Sequence, residues 1–377
     1  MAYLTGLPDG PPDFSRANVL ARAERIAADA ATLLTGRAAL LGLRRGGRVS
    51  AGSATRLLAA RDGWCAFTLS RPDDVAAVPA LLHADDVPAD PWPALQHWVA
   101  ARPVSAIIER AGLLDIPAAA LGETAAAGPR IRRLGPAASA CGSGGLLVAD
   151  LSSMWAGPLC GHLLARAGAT PQATVVKVES PRRPDGTRAG DRAFFDWING
   201  EKLSYCVDFD SQADELRELL TVADIVIEGS RPAALARRRL GPHDVAPRAG
   251  RIWLRINGFD GDSGRPAFGD DAAVAGGLVG GTTQDPVFCG DAIADPLAGL
   301  EATHAVTESL GRGGGELIEV SLAAVAAIYA ALPTVPTVCA LPALPPLAPP
   351  ASKSASDLGA DNDAVRRLVC ERRCLSC

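Results

Sequence analysis

The chain is nearly without lysine: Lys177, Lys202 and Lys353 stand alone among 37 basic residues, and the rest are arginine. The bias reflects a GC-rich coding background, and it singles out Lys177 and Lys202 because arginine is the default cation here. Positive charge is not in excess. The formal net charge is −5 and the pI near 5.6, which argues against a nucleic-acid binder that lives on counterion release. Long apolar runs are missing too. No stretch reaches the roughly 18 residues of a membrane span, and the longest candidate, Leu322 to Leu332, is cut by Pro333 and reads as a buried helix. No charged segment followed by an apolar one opens the chain, where Met1 to Ala17 is rich in Pro, Gly and polar residues, so secretion is not expected. The nine cysteines are odd in number and without a disulfide framework, which fits a reducing cytoplasm. Cys370, Cys374 and Cys377 have a spacing similar to iron–sulfur ligands, but no fold follows to hold a cluster, and they read as free thiols on a frayed tail. No His/Cys group stands at zinc spacing, so no metal is expected.

What is present divides the chain by texture. With 377 residues, 48% of them hydrophobic, two domains are expected. Residues 1–49 read as a turn-rich loop and a helix pair between Ala17 and Leu43. Residues 50–125 read as a small α+β domain, with a strand at Gly63 to Leu69 and helices at Asp73 to His83, Trp92 to Ala101 and Val104 to Ala111. Residues 126–145 are a Gly-rich linker by composition. From Leu146 the pattern changes. Strands are expected at Leu146 to Leu151, Thr174 to Glu179, Ala223 to Glu228 and Arg251 to Ile256, with helices at Gly157 to Ala167 and Asp214 to Leu220. Nearly continuous apolar strands alternating with helices argue for an α/β fold with a doubly wound parallel, Rossmann-like sheet across residues 146–332. A Pro-rich linker, 333–353, and a closing segment, 354–377, complete the chain.

Ligands of such sheets sit at the carboxyl ends of the strands, so Ser152 to Ala156, Glu179 to Arg183 and Glu228 to Arg231 should line one crevice. The turn after Leu151 lacks the G-x-G-x-x-G of a dinucleotide fold, and Gly142, Gly144 and Gly145 lie before the strand, on the wrong side. No P-loop and no G-x-S-x-G elbow are present. A further stretch, Pro286 to Gly299, delivers a carboxylate, Asp295, to a helix start: Pro296 suits a first turn, Asp is a favoured cap, and Leu297, Leu300, Ala302, Val306 and Leu310 follow at helical spacing. By itself this stretch fits an ordinary cap as well as a reactive carboxylate.

The upstream motifs bear on that choice. Asp150 to Cys160, then Val176-Lys177-Val178-Glu179, Asn199 to Ser204, Val207-Asp208, Ala223-Asp224 through Glu228, Arg231-Pro232, Gly258-Phe259, Gly290 to Asp295 and Gly311-Arg312-Gly313 leading to Val320-Ser321-Leu322 resemble, in order, the large domain of the class III CoA-transferases, the family of formyl-CoA transferase and α-methylacyl-CoA racemase. Lys177 and Lys202 fall where that family carries lysine. The resemblance implies coenzyme A as acyl-CoA substrate, no metal, and contacts to it from Trp155, Ala156, Lys202, Ser204 and Val207, with Gly229, Ser230 and Arg237 (or the adjacent Arg238 or Arg239) beside the phosphates. Where the family often has Arg after the glutamate, this chain has Ser180, which leaves Arg182 or Arg183 for the 3′-phosphate.

In the transferases the aspartate at the position of Asp295 is the nucleophile, and small residues at Gly290, Ala292 and Ala294 would let a thioester and its oxyanion donors approach closely. The resemblance therefore implies a CoA-transferase acting between an acyl-CoA and a carboxylic acid. The alternatives are an acyl-CoA racemase, which needs two bases, and a catalytically silent CoA-binding protein. Racemases carry a histidine near Ala267 to Asp271; none stands there, leaving Asp270 or Asp271 as the possible second base, while His304 reads as a core or surface residue. The chain departs from the family in domain order, for 63–120 resembles the small domain and precedes the large one, and Leu4 to Pro12 resembles the segment before the nucleophile. A cytoplasmic homodimer, without nucleic acid or membrane partners, is expected.

Overall fold

The computed structural model describes residues 1–138, 145–166, 173–229, 232–260, 264–336 and 342–374. They group into two units: Met1–Gly128 with Gly258–Leu297 and Ser321–Pro349, and Pro129–Asn257 with Ala298–Val320 and Pro350–Cys377.

The second unit is an α/β sandwich around a seven-stranded sheet ordered Arg130–Arg133, Glu316–Ser321, Ile252–Asn257, Ile225–Glu228, Leu146–Asp150, Ala173–Glu179, Leu203–Cys206. The pairs from Ile252–Asn257 through Leu203–Cys206 are parallel, and the Arg130–Arg133 edge runs antiparallel to Glu316–Ser321. The strands read as apolar runs because both faces are covered. Leu147, Ala149, Val176, Val178, Tyr205 and Val226 share a core with Leu216, Leu219 and Leu220 of helix Ala213–Val222 and with Val365 and Val369 of helix Asn362–Cys374. On the other face, helix Ala156–Ala165 packs on Leu146–Asp150 and Ala173–Glu179. The doubly wound sheet expected from the sequence is thus present. Two readings change. The stretch 126–145, taken as linker, contributes Arg130–Arg133, whose three arginines suit an exposed sheet edge; residues 139–144 lie outside the described residues. Cys370 and Cys374 lie on the ordered helix Asn362–Cys374 and not on a frayed tail, because Val365 and Val369 anchor that helix in the core; Cys377 lies outside the described residues.

The first unit is built on the antiparallel strands Thr55–Ala59, Trp64–Thr68 and Ala118–Ala120. Alternation splits their residues between two layers. Leu58, Cys65, Phe67 and Ala118 pack with Trp92, Leu95, Trp98 and Val99 of helix Trp92–Ala100 and with Ile107 of helix Val104–Leu113. Leu57 and Ala66 pack the other way, with Val274 of helix Gly269–Ala275 and with Val279 and Phe288 of the hairpin Val279–Gly281, Pro286–Phe288. That second layer explains why Gly258–Leu297, expected within the stretch 146–332, groups with the first unit. The helix expected over Asp73 to His83 is two short ones, Pro72–Ala76 and Val78–Leu82, because Pro79 has no N–H with which to continue the first.

Phe67 is fully buried at the centre of the larger layer. Phe67→Ala should lower unfolding free energy by about 3–5 kcal/mol, read from the denaturant midpoint; a change within about 0.5 kcal/mol would contradict this packing.

Candidate active site

Asp295 lies in the first turn of helix Ala294–Gly311, one residue inside its start, and so is not the cap that the sequence suggested. The loop that leads into it, Cys289 to Ile293, turns through two left-handed residues, Gly290 at φ 74° and Ala292 at φ 41°. Only Gly290 adopts this freely. Its N–H donates to Thr5 Oγ1 at 3.2 Å, and the Asp295 N–H donates to the Ala292 carbonyl at 2.9 Å. Ala294 is buried as the first helical residue. Opposite the loop, helix Gly269–Ala275 begins with a glycine for a spatial reason: a Cβ on Gly269 would lie 2.2 Å from the Ala292 carbonyl oxygen and 2.6 Å from Asp295 Oδ2.

Four carboxylates meet at this junction. Asp270 and Asp295 are half-buried, whereas Asp271 and Asp291 are fully buried. Asp291 pairs with Arg37 at 2.7 Å. Asp271 Oδ1 accepts from the Thr68 hydroxyl at 2.8 Å and the Phe268 N–H at 2.9 Å, and Asp270 Oδ1 accepts the Ala292 N–H at 2.9 Å. Burial, and next the neighbouring Asp270, push the Asp295 carboxyl up to about 7 against the pull of Arg37. Burial likewise raises Asp270 to about 6, with Asp291 adding to it, and Asp271 to about 7; Asp291 is also raised by burial, opposed by Arg37. Near neutrality Asp295 therefore exists as acid and as carboxylate, and its carboxylate is more basic than an ordinary aspartate. Arg37, Thr55 and Thr68 were not identified from the sequence, since they lie more than 200 positions away with no motif of their own. His304 is a surface residue, 3.5 Å from Glu308.

The second unit gathers the other site candidates at its strand ends, over a floor of ion pairs. Lys202 Nζ lies 2.8 Å from both Asp150 Oδ2 and the Pro158 carbonyl, with both side chains fully buried. Burial alone would raise the Asp150 carboxyl, but Lys202 and Lys177 hold it below its ordinary range. Lys177 Nζ reaches Asp185 Oδ2 at 2.7 Å and the Ser152 carbonyl. Arg188 grips Glu179, the closest contact at 2.7 Å, and Arg255 grips Glu228. Asp185 in turn accepts the Met154 N–H at 3.2 Å on each oxygen, holding that residue at φ 74° immediately before Trp155.

Trp155 is buried edge-on to Phe194 at 5.4 Å, and Ala156 opens the helix behind it. Ser204 Oγ accepts from Arg188 at 3.2 Å and from the Gly359 N–H at 3.1 Å, and Val207 is buried. The closing segment docks here, with Asp361 accepting the Ser204 N–H at 2.8 Å. Gly229 is exposed beside Ser152. Arg182, Arg183 and Arg237 are exposed, Arg182 lying 3.0 Å from Asp208, while Arg238 engages Asp210 at 2.6 Å. Ser230 and Arg231 lie outside the described residues. Asp270, Asp271, Gly290, Ala294 and Asp295 thus gather in the first unit, and Trp155, Ala156, Lys202, Ser204, Val207 and Gly229 in the second.

The model of CoA-transferase family III matches residues 144–340 of this chain. The chain belongs to CoA-transferase family III. Among curated proteins it is similar to the succinyl-CoA–D-citramalate CoA-transferase of Chloroflexus aurantiacus, 28% identical over 196 residues covering 46% of this chain and 48% of that protein. It is also similar to the succinate–glutarate CoA-transferase of Agrobacterium fabrum, 30% identical over 191 residues, 44% of this chain and 46% of that one. The CoA-transferase/lyase DddD of Marinomonas sp. is 32% identical over 202 residues, 48% of this chain and 23% of that protein. The chain matches less than half the length of each of these relatives. A CAIB/BAIF family protein from Brucella suis aligns with 50% of this chain and 55% of its own at 28% identity and a TM-score of 0.44. Among the described residues no helix is long and apolar enough to cross a membrane, and no group of three or more His, Cys, Asp or Glu is placed to hold a metal ion.

Asp270, Asp271 and Asp295 take up protons in the folded chain at pH values where an unfolded aspartate, near 3.9, has released them. Their protonation therefore favours the folded state. Stability should fall as pH rises from about 4 to about 7 and level off above, and Asp271→Asn should flatten that slope in melting curves taken across the range. Asp150→Asn leaves Lys202 buried without its carboxylate, so it should cost about 3–5 kcal/mol by chemical denaturation.

Proposed function

We propose that this chain is a CoA-transferase that moves coenzyme A between an acyl-CoA donor and a carboxylic acid acceptor, with Asp295 as nucleophile. The observation that carries the reading is the placement of Asp295: a half-buried residue, delivered by a left-handed turn, whose pKa is lifted to about 7 by burial and by Asp270. A more basic carboxylate attacks a thioester carbonyl more readily. Attack by Asp295 forms a mixed anhydride and releases CoA thiolate. The thiolate then attacks the aspartyl carbonyl, giving an aspartyl–CoA thioester and freeing the donor acid. The acceptor carboxylate repeats the exchange in reverse, so that no proton is consumed and Asp295 is regenerated.

Trp155, Ala156, Ser204, Val207, Gly229, Ser230 and Arg237 are the proposed contacts for the nucleotide end of coenzyme A, with Arg182 and Arg183 as candidates for its phosphates. Lys202 supports them from beneath, since its ammonium is committed to Asp150. A homodimer in the cytoplasm is part of the same proposal. The second reading, acyl-CoA racemisation, draws on Asp270 and Asp271 beside Asp295; it requires exchange of the α-proton with solvent, which transfer does not.

The purified chain is to be incubated with a panel of acyl-CoA donors and free acids. The expected result is CoA exchange, a CoA-sized mass adduct on Asp295, and a rate that rises with pH through about 7 as Asp295 ionises. Asp295→Ala should lose about three orders of magnitude or more in kcat. Full activity in that variant overturns the assignment, deuterium incorporation at the α-carbon without acyl exchange favours the racemase, and CoA binding without either reaction leaves a silent binder.

A further inference from the structure

We propose that Asp270 is a positioning residue for Asp295: by accepting the Ala292 N–H it holds Ala292 in its left-handed conformation, and it exchanges no proton with the substrate. The proposal rests on the reading of Asp295 as nucleophile. It begins from a cost in the backbone. Ala292 has φ 41°, a region that a residue with a Cβ avoids, three positions before the reactive carboxylate. Such a residue persists only where its surroundings fix both of its peptide groups, and here they do. The N–H donates to Asp270 Oδ1 at 2.9 Å. The carbonyl accepts the Asp295 N–H at 2.9 Å and lies so close to Gly269 that a Cβ there would stand 2.2 Å from it. Gly269 and Asp270 are consecutive at the start of helix Gly269–Ala275. One helix start therefore grips Ala292 from two sides, leaving room with the glycine and supplying an acceptor with the aspartate.

The surroundings of Asp270 suit an acceptor. Its Oδ2 receives the Thr55 hydroxyl at 3.4 Å, Ser50 donates to the same carboxylate, and the remaining neighbours of opposite or like charge are Arg37, Asp271, Asp291 and Asp295. Amide and hydroxyl donors reach both oxygens, as a fixed acceptor requires. A second base and a backbone clamp make different demands on this side chain. A base needs an ionisable oxygen, whereas a clamp needs only an acceptor, which asparagine retains and alanine does not.

The test compares Asp270→Ala, Asp270→Asn and the double variant Asp270→Ala with Ala292→Gly, after thermal melts confirm folding. Amide hydrogen exchange over the segment 288–297 is followed by mass spectrometry alongside kcat and KM. For Asp270→Ala the segment should exchange about tenfold faster or more, and kcat should fall about 100-fold with KM little changed. Asp270→Asn should show a loss of less than about tenfold and near-native exchange, and Ala292→Gly should recover about tenfold in the alanine background because glycine adopts the left-handed conformation unaided. Equal loss of kcat in Asp270→Asn and Asp270→Ala with native exchange in both would overturn the proposal in favour of proton transfer, and unaltered exchange in Asp270→Ala would show that there is no clamp. Because exchange is read without substrate, an inactive wild type or an active Asp295→Ala variant would refute the nucleophile while leaving the clamp separately decided.

Discussion

The constraint on which this structure turns is the price of taking carboxylates out of water. The two clusters of site residues meet it in opposite ways. At the strand ends of the second unit each buried acid has a cation: Asp150 with Lys202, Asp185 with Lys177, Glu179 with Arg188, Glu228 with Arg255. In the first unit Asp270, Asp271, Asp291 and Asp295 gather together, and Arg37 opposes the upward shift of Asp270, Asp291 and Asp295. Their lysine partners hold Asp150 and Asp185 below the ordinary carboxylate range, whereas burial still raises Glu228 against the pull of Arg255. Acids crowded together instead hold on to protons, and a group that can gain or lose a proton near neutrality is one with which chemistry can be done.

The same contrast explains the two left-handed residues. Met154 and Ala292 each sit where the backbone must turn sharply before a helix, each carries a side chain that disfavours the turn, and each gives its N–H to an aspartate. For Met154 the aspartate is locked by Lys177 beneath it; for Ala292 it belongs to the acidic group itself. The fold thus places its local strain beside the segments proposed to meet coenzyme A, and offsets it with hydrogen bonds to charge.

Much of this was legible in the sequence where a signal is local. The strands Leu146–Asp150, Ala173–Glu179, Ile225–Glu228 and Ile252–Asn257 showed as apolar runs because burial on both faces writes itself into every residue. The turn before Asp295 showed through its small residues and Pro296. What was not legible depends on partners far along the chain. Nothing near Arg37, Thr55 or Thr68 marks them as neighbours of Asp291, Asp270 and Asp271. Strand Arg130–Arg133 looked like linker because an exposed edge has no apolar alternation to display. The helix start at Asp295 was legible because Asp is favoured at a cap and Pro in a first turn, but the offset that puts Asp295 one residue inside the helix is invisible to composition. Lys202 stood out by rarity, but its burial against Asp150 is visible only in the fold, where Gly161 leaves room for both side chains.

That rarity has a practical side. Of the three lysines, Lys177 and Lys202 are sealed in ion pairs, and Lys353 stands largely in solvent near Glu201. An amine-reactive dye or cross-linker should therefore tag the native molecule at Lys353 among its side chains. Labelling at either of the other two would serve as a chemical alarm that the end of the sheet has come apart.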